Sequence, residues 1–181
     1  MRYAFIAILC LPLFSMAQTN RTTRYGVLFN PDTYSQKTPK DTLESVLTAM
    51  ENKRLDYLAA QLMLPTFVDA RLQETYASYE EIAYQQLGEA AQRGNAEERL
   101  RRVSLLTNSL NFQGLTEAIR LKFVDEPDTF TQLQKFESGG TFNEAGETAT
   151  ITHPDIPGRT VNFRKIDNRW YIDNQRDPVK E

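Results

Sequence analysis

The C-terminal third of the chain alternates apolar and polar side chains with the period of two that marks a strand. Val161 and Phe163 share one face of a first run, and Trp170 and Ile172 share the same face of a second. Asp167-Asn168 lies between the runs, and both residue types tolerate the positive φ of a tight two-residue turn. With that turn, Ile166 faces Arg169, Lys165 faces Trp170 and Phe163 faces Ile172; Asn162, Arg164 and Tyr171 fall on the opposite face. Glu147 to Thr152 is rich in β-branched residues, with Ala149 and Ile151 alternating against Thr148, Thr150 and Thr152. Pro154 to Gly158 reads as a long turn that joins this strand to the hairpin in an antiparallel meander.

Upstream the period changes to that of helices. Thr38 is placed as an N-cap, Pro39 at the first helical position and Asp41 at the third position of a capping box. Leu43, Val46, Leu47 and Met50 follow as one buried stripe, and Asn52-Lys53 ends the helix. A short helix, Leu55 to Leu62, presents Leu55, Leu58, Ala59 and Leu62 to the same core, and Pro65 closes that unit. Thr66 to Leu72 alternates weakly, Val68, Ala70 and Leu72 against Phe67, Asp69 and Arg71, which predicts a short strand. From about Glu74 a longer helix carries Tyr76, Tyr79, Ala83 and Leu87 and stops by Arg93-Gly94.

Asn95 with Glu98 signals the next helix start, lined by Leu100, Val103, Leu106 and Leu110. Gly114 is expected to break or kink it, with Leu115 to Val124 continuing as a further helical piece. Asp125-Glu126-Pro127-Asp128 is a stop, and Phe130 to Phe136 fits the helix and strand periods equally badly. Gly139-Gly140 marks the change from helices to strands. Helices first and antiparallel strands last predict an α+β fold, its helices packed on one face of a C-terminal meander.

The N-terminus changes the picture of where the chain works. Arg2, the apolar run Ala4 to Phe14 and the small residues Ser15-Met16-Ala17 read as a signal peptide, residues 1–17. That run is too short to span ~30 Å of hydrocarbon, and Pro12 argues against a core helix. Position 18 is Gln, so no cysteine follows the small residues as lipidation requires. Export to the periplasm or the cell exterior is therefore expected, with no membrane span in the mature chain. Residues 18–37 read as an extended lead-in anchored by Tyr25, Val27, Leu28, Phe29 and Tyr34, with a turn at Asn30-Pro31-Asp32. Residues 38–176 read as one domain and 177–181 as a tail. Asn20-Arg21-Thr22 matches a glycosylation sequon.

Cleavage removes Cys10, the only cysteine, so the mature chain has no disulfide, thiol nucleophile or cysteine metal ligand. Its charge moves from −3 to −4 with the loss of Arg2, and its basic residues are scattered, which argues against nucleic acid. Arg99-Leu100-Arg101-Arg102 reads as a solvated helix face. His153, the only histidine, sits at the start of a loop and reads as a surface residue rather than a general base. A structural zinc site is excluded by the same counts. Asp125, Glu126 and Asp128 read as an acidic helix stop rather than a cation loop. Glu80-Glu81 and Glu97-Glu98 diverge on their helices and make no dyad. No phosphate loop accompanies Gly139-Gly140, and no cofactor is expected. Tyr76, Tyr79 and Tyr84 read as core and rim rather than a ligand cage.

The stretches Thr38 to Pro65 and Thr141 to Asn174 resemble the nuclear transport factor 2-like superfamily. The resemblance rests on the capped helix, the short helix after it, and the ending Phe163-Arg164-Lys165-Ile166-Asp167-Asn168-Arg169-Trp170-Tyr171-Ile172. The middle, Glu74 to Val124, is longer than that family's usual one. The resemblance implies a curved sheet and helices forming a cone around a pocket, often as a homodimer through the sheet. Its members include isomerases, cyclases and dehydratases that use a carboxylate, as well as binding domains, so fold alone selects no activity. Asp56, Tyr57 and Asp69 are the catalytic candidates in that setting, though none sits in a recognisable motif. Three readings follow: a non-catalytic module for a small apolar molecule or a protein partner; a cone-pocket enzyme; and an interaction protein using its middle helices.

Overall fold

The structure is a computed structural model that describes residues 22–173. The signal peptide expected at residues 1–17, the first two residues of the sequon and the expected tail lie outside the described residues. Two short strands come first, β1 (Thr23–Arg24) and β2 (Val27–Leu28), antiparallel to each other. Helical segments follow: α1 (Pro39–Glu51), α2 (Leu55–Tyr57) running into a π-helical turn (Leu58–Leu62), α3 (Pro65–Leu87) with a 3-10 turn (Gly88–Gln92) after it, α4 (Ala96–Asp125) and α5 (Asp128–Gly139). The chain ends in β3 (Thr141–Ala145), β4 (Thr148–Thr152), β5 (Thr160–Ile166) and β6 (Arg169–Asp173), an antiparallel sheet in sequence order. The fold is α+β, as the order of periods predicts.

The closing hairpin forms in the expected register. Ile166 pairs with Arg169, Lys165 with Trp170 and Phe163 with Ile172. Asp167 and Asn168 take φ of 49° and 60°, the pair of left-handed residues that matches the strands' twist. The inner face, Ala149, Ile151, Val161, Phe163 and Trp170, packs against Leu43 and Leu47 of α1 and Phe136 of α5. Gly140 lets the chain turn from α5 into β3 there, because a Cβ would stand 2.3 Å from the Phe136 carbonyl oxygen and 2.5 Å from Ile151.

α1 starts as its sequence dictates: the Thr38 hydroxyl accepts the Asp41 N–H at 3.0 Å, with Pro39 in the first turn. The capping box is only half made, because the Asp41 carboxylate accepts the Ser35 hydroxyl at 3.1 Å instead of returning to the cap. At α4 the box is complete, with Asn95 and Glu98 each accepting from the other's backbone.

Several expectations change. The lead-in is not merely extended: Tyr25 and Gly26, both at positive φ, turn β1 into β2. Pro65 does not close a unit but opens α3, and Thr66 to Leu72 is helix, not strand. Val68 and Leu72 stand one turn apart, and their helical spacing prevails over the weak alternation because both pack on the core below. Gly114 neither breaks nor kinks the fourth helix, which runs unbroken for 30 residues. Its missing Cβ instead admits Tyr79 from α3. Phe130 to Phe136 resolves as helix, and β3 adds a strand that the sequence reading did not separate. Leu100 does not line α4's packed face; it is 65 % exposed, while Val103 is buried towards α3. Tyr171 faces away from the helices yet is buried, because Arg169 stacks between it and Phe29 of the lead-in (5.3 and 4.5 Å).

The lead-in also covers the free edge of β6. Trp170 donates its N–H to the Gln36 carbonyl at 3.0 Å, and Leu64 donates to the Ile172 carbonyl at 2.9 Å. The buried Gln36 side chain donates to the Gln61 and Trp170 carbonyls, and Gln61 in turn donates to Val27. An unpaired strand edge is thereby given backbone partners.

Candidate functional site

Where α1, the π-helical turn, the end of α4, the start of α5 and the β5–β6 pair meet, they leave an apolar cleft. Val46 and Met50 of α1 form one wall by the i, i+4 spacing of the helix stripe. Leu58 and Met63 bracket the π-helical turn, closed by the Met63 N–H donating to the Leu58 carbonyl at 2.9 Å. Ile119 and Phe123, one turn apart on α4, form the opposite wall, and Leu133 of α5 and Ile172 of β6 complete it. The cavity measures about 280 Å³, close to the lower end of small-molecule sites. A second hollow of about 460 Å³ adjoins it, sharing Met50 and Phe123 and lined further by Lys53, Leu55 and Phe130. Polar groups stand around the first chamber: Lys122 and Glu126 on α4, Thr129 on α5, and Thr160, Asn162 and Asp173 on the sheet.

The three residues proposed from sequence do not line this cleft, and each is taken up elsewhere. Asp56 is held by Arg54 through two hydrogen bonds of 2.9 and 3.0 Å, which keep its carboxyl below the usual carboxylate range. Tyr57 is buried and stacks on Tyr34 at 4.1 Å between centroids. Its oxygen accepts the Asn30 N–H at 3.0 Å, and burial pushes its phenol up. Asp69 is on the exposed side of α3 and accepts from both Arg24 and the Tyr25 hydroxyl. Burial, with that hydrogen bond, pushes the Tyr25 phenol up to about 12. Arg24 also donates to the Pro65 and Ala60 carbonyls (3.0 and 3.3 Å), and Tyr25 stacks on Phe112 at 4.9 Å. Asp69 thus anchors the β1–β2 turn to α3.

His153 lies in the β4–β5 loop, where its Nδ1 accepts the Asp155 N–H at 3.1 Å and its ring meets Phe136 edge-on at 6.2 Å. Among the described residues no group of His, Cys, Asp and Glu is placed to hold a metal ion, and no helix is long and apolar enough to cross a membrane. Tyr79 packs over Gly114, and Tyr84 is exposed. The sequence reading did not single out Lys122, Phe123 or Met63; the one local signal was the i, i+4 pair of Ile119 and Phe123. No protein-family model matches the chain, and no curated protein or solved structure is detectably similar to it.

Proposed function

We propose that this is an exported, non-catalytic binding module whose cleft between helices and sheet takes a small, mostly apolar molecule. The observation that carries the reading is the cleft itself: a chamber of about 280 Å³ lined mostly by aliphatic, Met and Phe side chains, with a smaller set of polar and charged groups among them. The engagement of Asp56, Tyr57 and Asp69 in contacts away from it supports binding over carboxylate catalysis. Helices over one face of an antiparallel meander, with a cavity between them, keep the nuclear transport factor 2-like resemblance as our reading of the architecture.

Native mass spectrometry of the purified protein titrated with 1-decanol tests the reading. One equivalent is expected to bind, and Thr160→Trp, which places a ring at the exposed rim of the chamber, is expected to abolish it. Asp56→Asn and Asp69→Asn are expected to leave the bound mass unchanged. No uptake, or uptake that Thr160→Trp leaves intact, contradicts a ligand in this cleft.

A further inference from the structure

The cleft carries charge that its own surroundings leave unanswered. Across its two chambers the ionised lining residues are Lys53, Arg120, Lys122, Glu126 and Asp173. Arg120 is held by Glu117 through hydrogen bonds of 2.7 and 2.6 Å, and Asp173 pairs with Arg164 at 3.2 Å. Glu126 accepts the Thr129 hydroxyl at 3.5 Å. Lys53 and Lys122 have no carboxylate within ion-pair distance among the described residues. Among the residues that line the two chambers, two unpaired ammonium groups therefore stand against one glutamate.

A lysine at the mouth of an apolar chamber combines a hydrocarbon stem with a hydrogen-bonding cation. The ligand that answers both features has an apolar chain and an anionic head. At roughly 30 Å³ per heavy atom, the first chamber holds a chain on the order of ten atoms. We propose that the cleft binds a medium-chain fatty acid, its chain between α1, α4 and α5 and its carboxylate on Lys122. The assignment rests on the binding reading above and adds the head group to it. Among the lining residues Glu126 is the group that favours an amine instead, and its carboxylate already accepts the Thr129 hydroxyl.

Isothermal titration calorimetry of the purified protein with decanoate, 1-decanol and decylamine at neutral pH decides the matter. Decanoate is expected to bind about tenfold more tightly than decanol, equivalent to 1.4 kcal/mol. Lys122→Gln is expected to weaken decanoate about tenfold and so erase that preference. Lys122 is exposed and makes no ion pair among the described residues, so this variant tests charge rather than folding. Equal affinities for decanoate and decanol overturn the head-group assignment and leave the cleft reading standing. A preference that survives Lys122→Gln, or tighter binding of decylamine, does the same. Failure of all three to bind overturns both.

Discussion

Gly114→Ala separates what helix propensity predicts from what this packing predicts. Gly114 lies inside α4, a helix of 30 residues. On propensity alone, alanine there stabilises by about 1 kcal/mol, since interior glycine carries that much backbone entropy. The structure predicts the opposite sign. A Cβ on Gly114 would lie 1.7 Å from the Tyr79 hydroxyl oxygen and 2.4 Å from its Cζ, so the ring must leave its seat between the helices. α3 has little freedom to slide aside. The Thr75 hydroxyl donates to Asn111 Oδ1 at 2.7 Å, and the Asn111 amide donates to the Leu72 carbonyl at 2.7 Å. Overpacking of this kind costs about 1–3 kcal/mol. Taking about 2 for the displaced ring leaves a net destabilisation of about 1 kcal/mol. In a Tyr79→Ala background the obstacle is gone, and the same substitution stabilises by about 1 kcal/mol. The cycle therefore shows a coupling of about 2 kcal/mol, read from urea denaturation of the four proteins. Stabilisation of about 1 kcal/mol in both backgrounds would refute the seating of Tyr79 on α4.

Trp170→Ala removes a side chain that is 1 % exposed between β6 and α1, and is expected to cost about 3–5 kcal/mol. It is the only tryptophan, so unfolding is followed by far-ultraviolet circular dichroism; a cost below 1 kcal/mol would remove it from the core. The Tyr25 phenol, pushed up to about 12 against 10.0 unfolded, sets an alkaline limit. Because the raised group stays neutral in the folded state, its stabilisation is full below pH 10 and is lost as pH rises towards 12. Denaturation midpoints measured from pH 9 to 12 should fall less steeply in Tyr25→Phe than in the parent. Parallel slopes would dissociate Tyr25 from that limit.

The closing hairpin was legible because its determinants are local. Asp167-Asn168 supplies the left-handed turn, and alternation then fixes which side chains meet. The caps of α1 and α4 were legible for the same reason. Thr66 to Leu72 was not, because Val68 and Leu72 satisfy a helical spacing and a strand alternation alike, and only the core beneath them distinguishes the two. Gly114 shows the same limit: its propensity cost is visible in sequence, but the ring that fills its place belongs to a different helix.

The site follows this division. Asp69 is a carboxylate of plausible chemistry until Arg24, 45 residues earlier, is found donating to it. Lys122 is an unremarkable charge in a helix's last turn until the structure places it beside an apolar cavity with no ion-pair partner among the described residues. Composition identifies which groups can ionise, whereas partnership decides which remain free to meet a ligand, and partnership is set by packing between elements far apart in the chain. A carboxylate already committed to an arginine has lost most of its capacity for recognition. A lysine that the fold leaves uncommitted retains it, and for that reason the head-group test is aimed at Lys122 rather than at the acids that the sequence put forward.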